Sequence, residues 1–165
     1  MLDCLPKRIE PVGLADVGRS FCGEVPVSEM PRLAQMLSSQ EGTLNAQLDF
    51  GLDERRIRTL KGSIKGSIEL VCQRCLGALR FPLDLNICLG IVTSDAEFDQ
   101  LPEGYEPLLV SGEPLLTFDV IEDEVLLAVP AIPTHEGPAR CDAGYRNEPL
   151  AEHDNPFSVL EKLKS

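Results

Sequence analysis

The sequence predicts an α+β fold: an antiparallel β-sheet or partly closed barrel with three to four peripheral helices. Segments 43–51, 62–72 and 82–92 each alternate apolar and polar residues, the mark of a strand with one buried and one wet face. They are joined by short polar turns, which suits hairpins and not the helical crossovers that parallel strands need. Helical spacing of apolar residues is confined to a few short stretches.

Residues 1–27 show no clear period, and Pro11, Gly13, Gly18 and Gly23 punctuate them into expected short strands and turns. A helix is expected over 28–38, capped by Ser28, with Pro31 in its first turn and Met30, Leu33, Met36 and Leu37 on one face. In 43–51, Leu44, Ala46, Leu48 and Phe50 alternate with Asn45, Gln47 and Asp49; Ile57 and Leu60 suggest a further short strand. In 62–72, Ile64, Ile68, Leu70 and Cys72 share one parity, and in 82–92 Leu83, Leu85, Ile87, Leu89 and Ile91 do the same. Ser94 and Glu97 resemble a capping box, and 105–110 reads as extended. Asp119 opens an expected helix to Val129, with Glu122, Asp123 and Glu124 in its first turn and Ile121, Val125, Ala128 and Val129 on its buried side; Pro130 stops it. Proline and glycine mark 130–156 as loop. Asn155 and Pro156 then begin a short terminal helix carrying Phe157, Leu160 and Leu163. The expected organisation is a single α+β domain over 1–133, followed by a loop-rich acidic tail, 134–165, ending in that helix.

With 165 residues, 43% of them hydrophobic and 25% charged, the chain has material for a real core. The longest uninterrupted apolar run, Val125–Val129, falls far short of the ~20 residues a membrane span needs. Asp3 and Pro6 stand where a signal peptide would be apolar, so the expected location is the cytoplasm, without a membrane partner. Charge is divided unevenly. Residues 1–91 hold 11 acids and 11 bases, whereas 92–165 hold 16 acids and four bases, so the net charge of −12 sits in the second part. Such a surface repels phosphate and attracts basic proteins, or simply keeps the chain soluble.

Six cysteines in an expected reducing compartment are core fillers, metal ligands or redox groups. Cys72 and Cys75 flank two residues between two expected strands, so they sit at a hairpin turn. Two thiolates at that spacing curl around one tetrahedral ion. His135 and Cys141 supply a second half, making a candidate zinc site of Cys72, Cys75, His135 and Cys141. The alternatives are inert cysteines, with Cys72 closing its strand's core face, or a redox pair, although redox CxxC motifs usually open a helix in a βαβ setting.

Arg55, Arg56, Arg58, Lys61 and Lys65 form a basic cluster in an otherwise acidic chain, a candidate phosphate-contact surface or a solvated counterweight to nearby acids. No aromatic residue is interleaved with it, so stacking on single-stranded RNA is not expected. Glu122, Asp123 and Glu124, with Phe157 and Leu160, are the candidate partner-binding residues: acids to steer a basic protein, apolar side chains to anchor it. No catalytic residue is assigned. P-loop, GxGxxG, GxSxG and HExxH motifs are absent from the sequence, and neither His135 nor His153 has a nucleophile at recognisable spacing.

Several motifs occur together in order: Cys72-Gln73-Arg74-Cys75-Leu76, Leu101-Pro102-Glu103-Gly104-Tyr105-Glu106-Pro107, residues 121–130, His135, and Asn155-Pro156-Phe157-Ser158-Val159-Leu160 with Leu163-Lys164. Together they resemble the YceD family, the large ribosomal RNA subunit accumulation proteins, from about residue 20 to the C-terminus. The resemblance implies a non-catalytic role in synthesis, processing or stability of bacterial 23S rRNA and in large-subunit biogenesis. It also implies a gene often beside that of a small basic ribosomal protein. Combined with the acidic second half, it implies a basic ribosomal protein or a pre-50S particle as partner, with rRNA contacted directly or indirectly. The alternatives are a small zinc-binding RNA-binding protein and an RNA-processing enzyme that carries no recognised motif.

Overall fold

The computed structural model describes residues 3–137 and Cys141. In chain order the strands are β1 (Asp3–Cys4), β2 (Arg8–Ile9), β3 (Ser20–Pro26), β4 (Leu37–Ser39), β5 (Thr43–Leu52), β6 (Arg58–Val71), β7 (Ala78–Val92), β8 (Glu106–Leu109) and β9 (Leu115–Leu116). Helix α1 covers Pro11–Val17 and α2 Thr117–Ala128; 3-10 turns cover Val27–Glu29, Leu33–Met36 and Asp95–Gln100. Among the described residues no helix is long and apolar enough to cross a membrane.

A seven-stranded sheet runs in the order β1-β3-β5-β6-β7-β8, with β4 also paired to β6. The alternating pattern explains its two faces. Leu44, Leu48, Leu60, Ile64, Ile68, Leu83, Ile87 and Leu89 are buried, and the register places Ala46 beside Ile64, Phe50 beside Leu60 and Leu60 beside Leu89. The opposite parity forms a polar face, crossed by a row of Gln47, Ser63 and Asn86. β5 and β6 approach so closely at Gly62 that a Cβ there would lie 2.2 Å from the Gln47 carbonyl oxygen.

β6 is longer than β5. Their pairing ends at Asn45 opposite Lys65, and the free flank of β6 is then taken by β4, with Leu37 opposite Leu70. The expected short strand near Ile57 and Leu60 is the beginning of β6 itself.

The architecture is mixed α+β around a large sheet, and it departs from expectation in three ways. The sheet is open: β1 and β8 lie at opposite ends, so there is no closed barrel. Its end strands, two and four residues long, offer too little backbone to close it. The pairing is not wholly antiparallel, because β1 runs parallel to β3 and β8 parallel to β7. In each case the chain crosses over first, through α1 or through the turn at Asp95–Gln100. Helix content among the described residues is two α-helices and three 3-10 turns. The terminal helix expected at 157–163 lies outside them.

The expected helix over 28–38 is two 3-10 turns followed by β4. Its amides are engaged elsewhere: Glu122 Oε1 accepts the backbone N–H of Arg32 (2.7 Å) and of Leu33 (2.9 Å). Met30 and Leu33 are nevertheless fully buried. α1 fills what was expected to be only strands and turns, with proline at its start and Gly18 at φ +71° closing it. It packs on β5 and β6. α2 begins two residues before Asp119, because the N-terminal segment receives Thr117: its N–H donates to Lys7 O (3.1 Å) and its hydroxyl to Pro6 O (2.5 Å). β2 and β9 pair beside this junction.

Candidate metal centre and charged surfaces

The β6–β7 hairpin ends in a tight knuckle. Cys72 N–H donates to Gly77 O (2.9 Å) and Leu76 N–H to Cys72 O (2.8 Å), with Leu76 at φ +58°. The segment after α2 docks on it through Gln73 N–H to Pro133 O (2.8 Å). Arg74 holds the same segment, donating to the carbonyls of His135 (3.1 Å) and Gly137 (3.3 Å). His135 and Cys141 are thereby brought to the knuckle.

The ligand atoms of Cys72, Cys75, His135 and Cys141 all lie within 4.8 Å of one another. Cys72 Sγ is 3.8 Å from Cys141 Sγ; His135 Nδ1 is 3.6 Å from Cys75 Sγ and 3.5 Å from Cys141 Sγ. A tetrahedral ion with metal–thiolate bonds of ~2.3 Å sets its sulfurs about 3.8 Å apart, so the cluster has the dimensions to hold one. His135 Nε2 donates to Ala78 O (3.1 Å), which leaves the Nδ1 lone pair facing the sulfurs. Burial opposes ionisation of Cys72, but the amides of Cys75, Arg74 and His135 and the Cys75 thiol donate toward its sulfur and bring its pKa down to about 5. Burial, with hydrogen bonds to Cys72 and Cys75, pushes Cys141 up. A thiolate is thus preformed at Cys72, a second reason that the donor set suits a cation.

The basic cluster is dispersed over three places. Arg58 pairs with Asp16 of α1 through Nε (2.8 Å) and Nη2 (3.2 Å). Lys65 pairs with Asp84 (3.3 Å) on the polar sheet face, where Lys61 also stands. Arg55 and Arg56 sit on the β5–β6 turn, which Asp53 organises by accepting the N–H groups of Arg55 (2.8 Å) and Ile57 (2.7 Å).

The acidic trio on α2 does not form one surface. Glu122 is 1% exposed, and besides the two amides it accepts Arg32 Nε at 2.8 Å. Its burial against the 27–36 turns removes it from any partner-facing set. Asp123 is exposed and bonded to Arg32, while Glu124 is half-buried. Burial, then the charges of Glu106 and Asp123, raises the pKa of Glu124. Phe157 and Leu160 lie outside the described residues.

Two contacts carried no sequence signal. Arg32 and Glu122 are 90 residues apart, and Tyr105, whose hydroxyl donates to Asp53 Oδ2 (3.1 Å), is 52 residues from its acceptor.

Comparison with known proteins agrees with the motif order. The family described as "Large ribosomal RNA subunit accumulation protein YceD" matches residues 60–164. A Haemophilus influenzae protein of that name is 30% identical over 169 residues, covering 97% of this chain and 96% of its own length. No solved structure matches. With its knuckle, its α2 segment and its C-terminal motif inside the matched region, the chain belongs to the YceD family of large ribosomal RNA subunit accumulation proteins.

Proposed function

We propose that this chain is a non-catalytic cytoplasmic factor supporting 23S rRNA accumulation and large-subunit assembly, and that it acts by binding a basic ribosomal protein or a pre-50S particle. The observation that carries this reading is the charge division: 16 acids against four bases in 92–165. A surface of that sign steers a basic partner and repels naked RNA, and the attraction weakens as salt shortens the Debye length.

Zinc is the ion the donors suit. Cys72, Cys75, His135 and Cys141 would hold it, and four protein ligands leave no open position for an activated water. It would supply a cross-link between the β6–β7 hairpin and the segment after α2. That closed ligand set supports a structural role over a hidden ribonuclease.

Direct rRNA contact is the second reading. Arg55, Arg56 and Lys61 favour it, because they form no ion pair among the described residues.

A pulldown of pre-50S particles at rising salt separates the two. Asp123→Lys with Glu124→Lys is expected to weaken association, with the fold checked by circular dichroism, and Arg55→Gln with Arg56→Gln to matter less. If the arginine changes abolish association and the acid reversals leave it intact, the protein-mediated reading is wrong.

A further inference from the structure

The β5–β6 turn and the turn preceding β8 enclose an open cleft of about 540 Å³, within the usual range for small-ligand sites. Arg55, Lys61 and Tyr105 line it, together with Asp53, Glu54 and Glu103. The basic cluster lacks an aromatic neighbour in sequence; the fold supplies one. Tyr105 stands in a turn closed by its N–H to Pro102 O (3.3 Å), and its hydroxyl is fixed on Asp53.

The remaining capacity of these groups decides what fits. Asp53 is committed: it accepts two backbone N–H groups and the Tyr105 hydroxyl, and these donors, outweighing burial, hold its carboxyl below the usual range. Arg55, Lys61, Glu54 and Glu103 form no ion pair among the described residues. Beside the committed Asp53, the cleft therefore offers two cations, two carboxylates with free hydrogen-bonding capacity and one positioned ring. A basic peptide would meet Arg55 and Lys61, and an acidic one would meet Glu54 and Glu103. A nucleotide satisfies both signs: its phosphate takes the cations, and its base stacks on the ring. Among the bases, guanine alone presents two adjacent donors, N1–H and the exocyclic amine, matched to the two oxygens of a carboxylate. Uracil flanks its single N–H with carbonyl oxygens that a carboxylate repels, and adenine and cytosine set an acceptor beside their donor amine.

We propose that this cleft takes one unpaired guanosine of RNA, with Arg55 and Lys61 on its phosphates, Tyr105 against the base and Glu54 or Glu103 on its Watson–Crick edge. The proposal rests on the direct-contact reading and gives it a location and a base.

Fluorescence anisotropy of the full chain with short single-stranded oligouridine carrying one central G, or A in its place, tests it. The G oligomer is expected to bind about 10-fold more tightly, a difference lost in Glu54→Gln with Glu103→Gln. Tyr105→Leu is expected to weaken the G oligomer by about 10-fold, as removal of a stacking platform does, while Tyr105→Phe keeps most of the affinity. Arg55→Gln with Lys61→Gln is expected to weaken both oligomers and flatten the salt dependence. Equal binding of G and A, unmoved by the Tyr105 and glutamate variants but lost with Arg56→Gln, would overturn the cleft and leave direct contact standing. No RNA binding at all would overturn both. Displacement of the oligomer by GMP at equal concentration would make the ligand a free nucleotide, and tight binding of an arginine-rich peptide lost in the same variants would make it a protein side chain. Either result overturns the proposal.

Discussion

The body of the β6–β7 hairpin and the knuckle at its tip are held by different means. Near its root, β6 is flanked by β5 on one side and β7 on the other, α1 packs on it, and Leu60, Ile64, Ile87 and Leu89 are buried. Beyond Lys65 that flank falls to the three-residue β4, although Ile68, Leu70 and Leu83 stay buried. The tip ends in Leu76, 75% exposed, beside the cysteine cluster. Apolar burial secures the root and continues outward through Ile68, Leu70 and Leu83; at the knuckle itself, residues 72–77, there is little apolar surface left to bury, and backbone hydrogen bonds plus four candidate ligand side chains stand in for it. The same substitution for a core is what small metal-bound domains use.

The strongest way to break this contrast is to take the tip's support away. Protein purified without chelators is expected to carry one zinc by native mass spectrometry. Chelation, or Cys72→Ser, is expected to speed hydrogen exchange of the Cys72, Gln73 and Leu76 amides by about a thousand-fold. The Ile64 and Ile87 amides should keep their protection. Equal loss at root and tip would show that the hairpin unfolds as one unit and that the two-part description is wrong.

Gly62→Ala attacks the body of the hairpin. The added methyl would lie 2.2 Å from a backbone oxygen of the neighbouring strand, which cannot rotate away as a side chain would. A loss of about 2–3 kcal/mol is expected, the size of an overpacked core position, with metal content unchanged. Thermal unfolding of the zinc-loaded variant checks it. A midpoint within a degree of the parent would mean that β5 and β6 separate easily, and that the root is looser than its burial suggests.

This division also governs what the sequence could reveal. The root was legible because its strands alternate over ten residues or more, and burial follows parity except at the base of the hairpin, where Thr59 with Leu60, and Leu89 through Val92, are buried on both faces. CxxC spacing pointed to a knuckle because the two thiols are local. Their meeting with His135 and Cys141 depends on Arg74 and on the bond from Gln73 to Pro133, contacts about 60 residues apart that leave no periodic trace. The misread helix at 28–38 has the same origin. Its Met/Leu spacing is genuine and its residues are buried, yet a carboxylate 90 residues away accepts the amides that a helix would have used. Glu122 was misjudged for the converse reason. A glutamate among acids on a helix reads as solvated, and only the arrival of Arg32 makes its burial tolerable. Tyr105 and Arg55 likewise meet only because the sheet edge folds the turn before β8 beside the β5–β6 turn.

The last expected effect concerns pH, in the metal-free protein only. Cys72 ionises near pH 5 when folded, far below an ordinary thiol, because the amides aimed at its sulfur outweigh burial. A depressed folded pKa means that the unfolded chain binds the extra proton. The contribution to stability is therefore complete above about pH 9, the ordinary thiol value, and is lost progressively as pH falls to about 5. Urea unfolding of the chelated protein between these limits is expected to show stability rising with pH, and Cys72→Ser is expected to remove that part of the slope. Reading the same titration by hydrogen exchange sharpens the contrast: the tip amides should follow it through local opening of the knuckle, and the Ile64 amide only to the extent that it exchanges through global unfolding. A slope that survives Cys72→Ser would place the titrating group elsewhere and would leave the knuckle without a preformed thiolate.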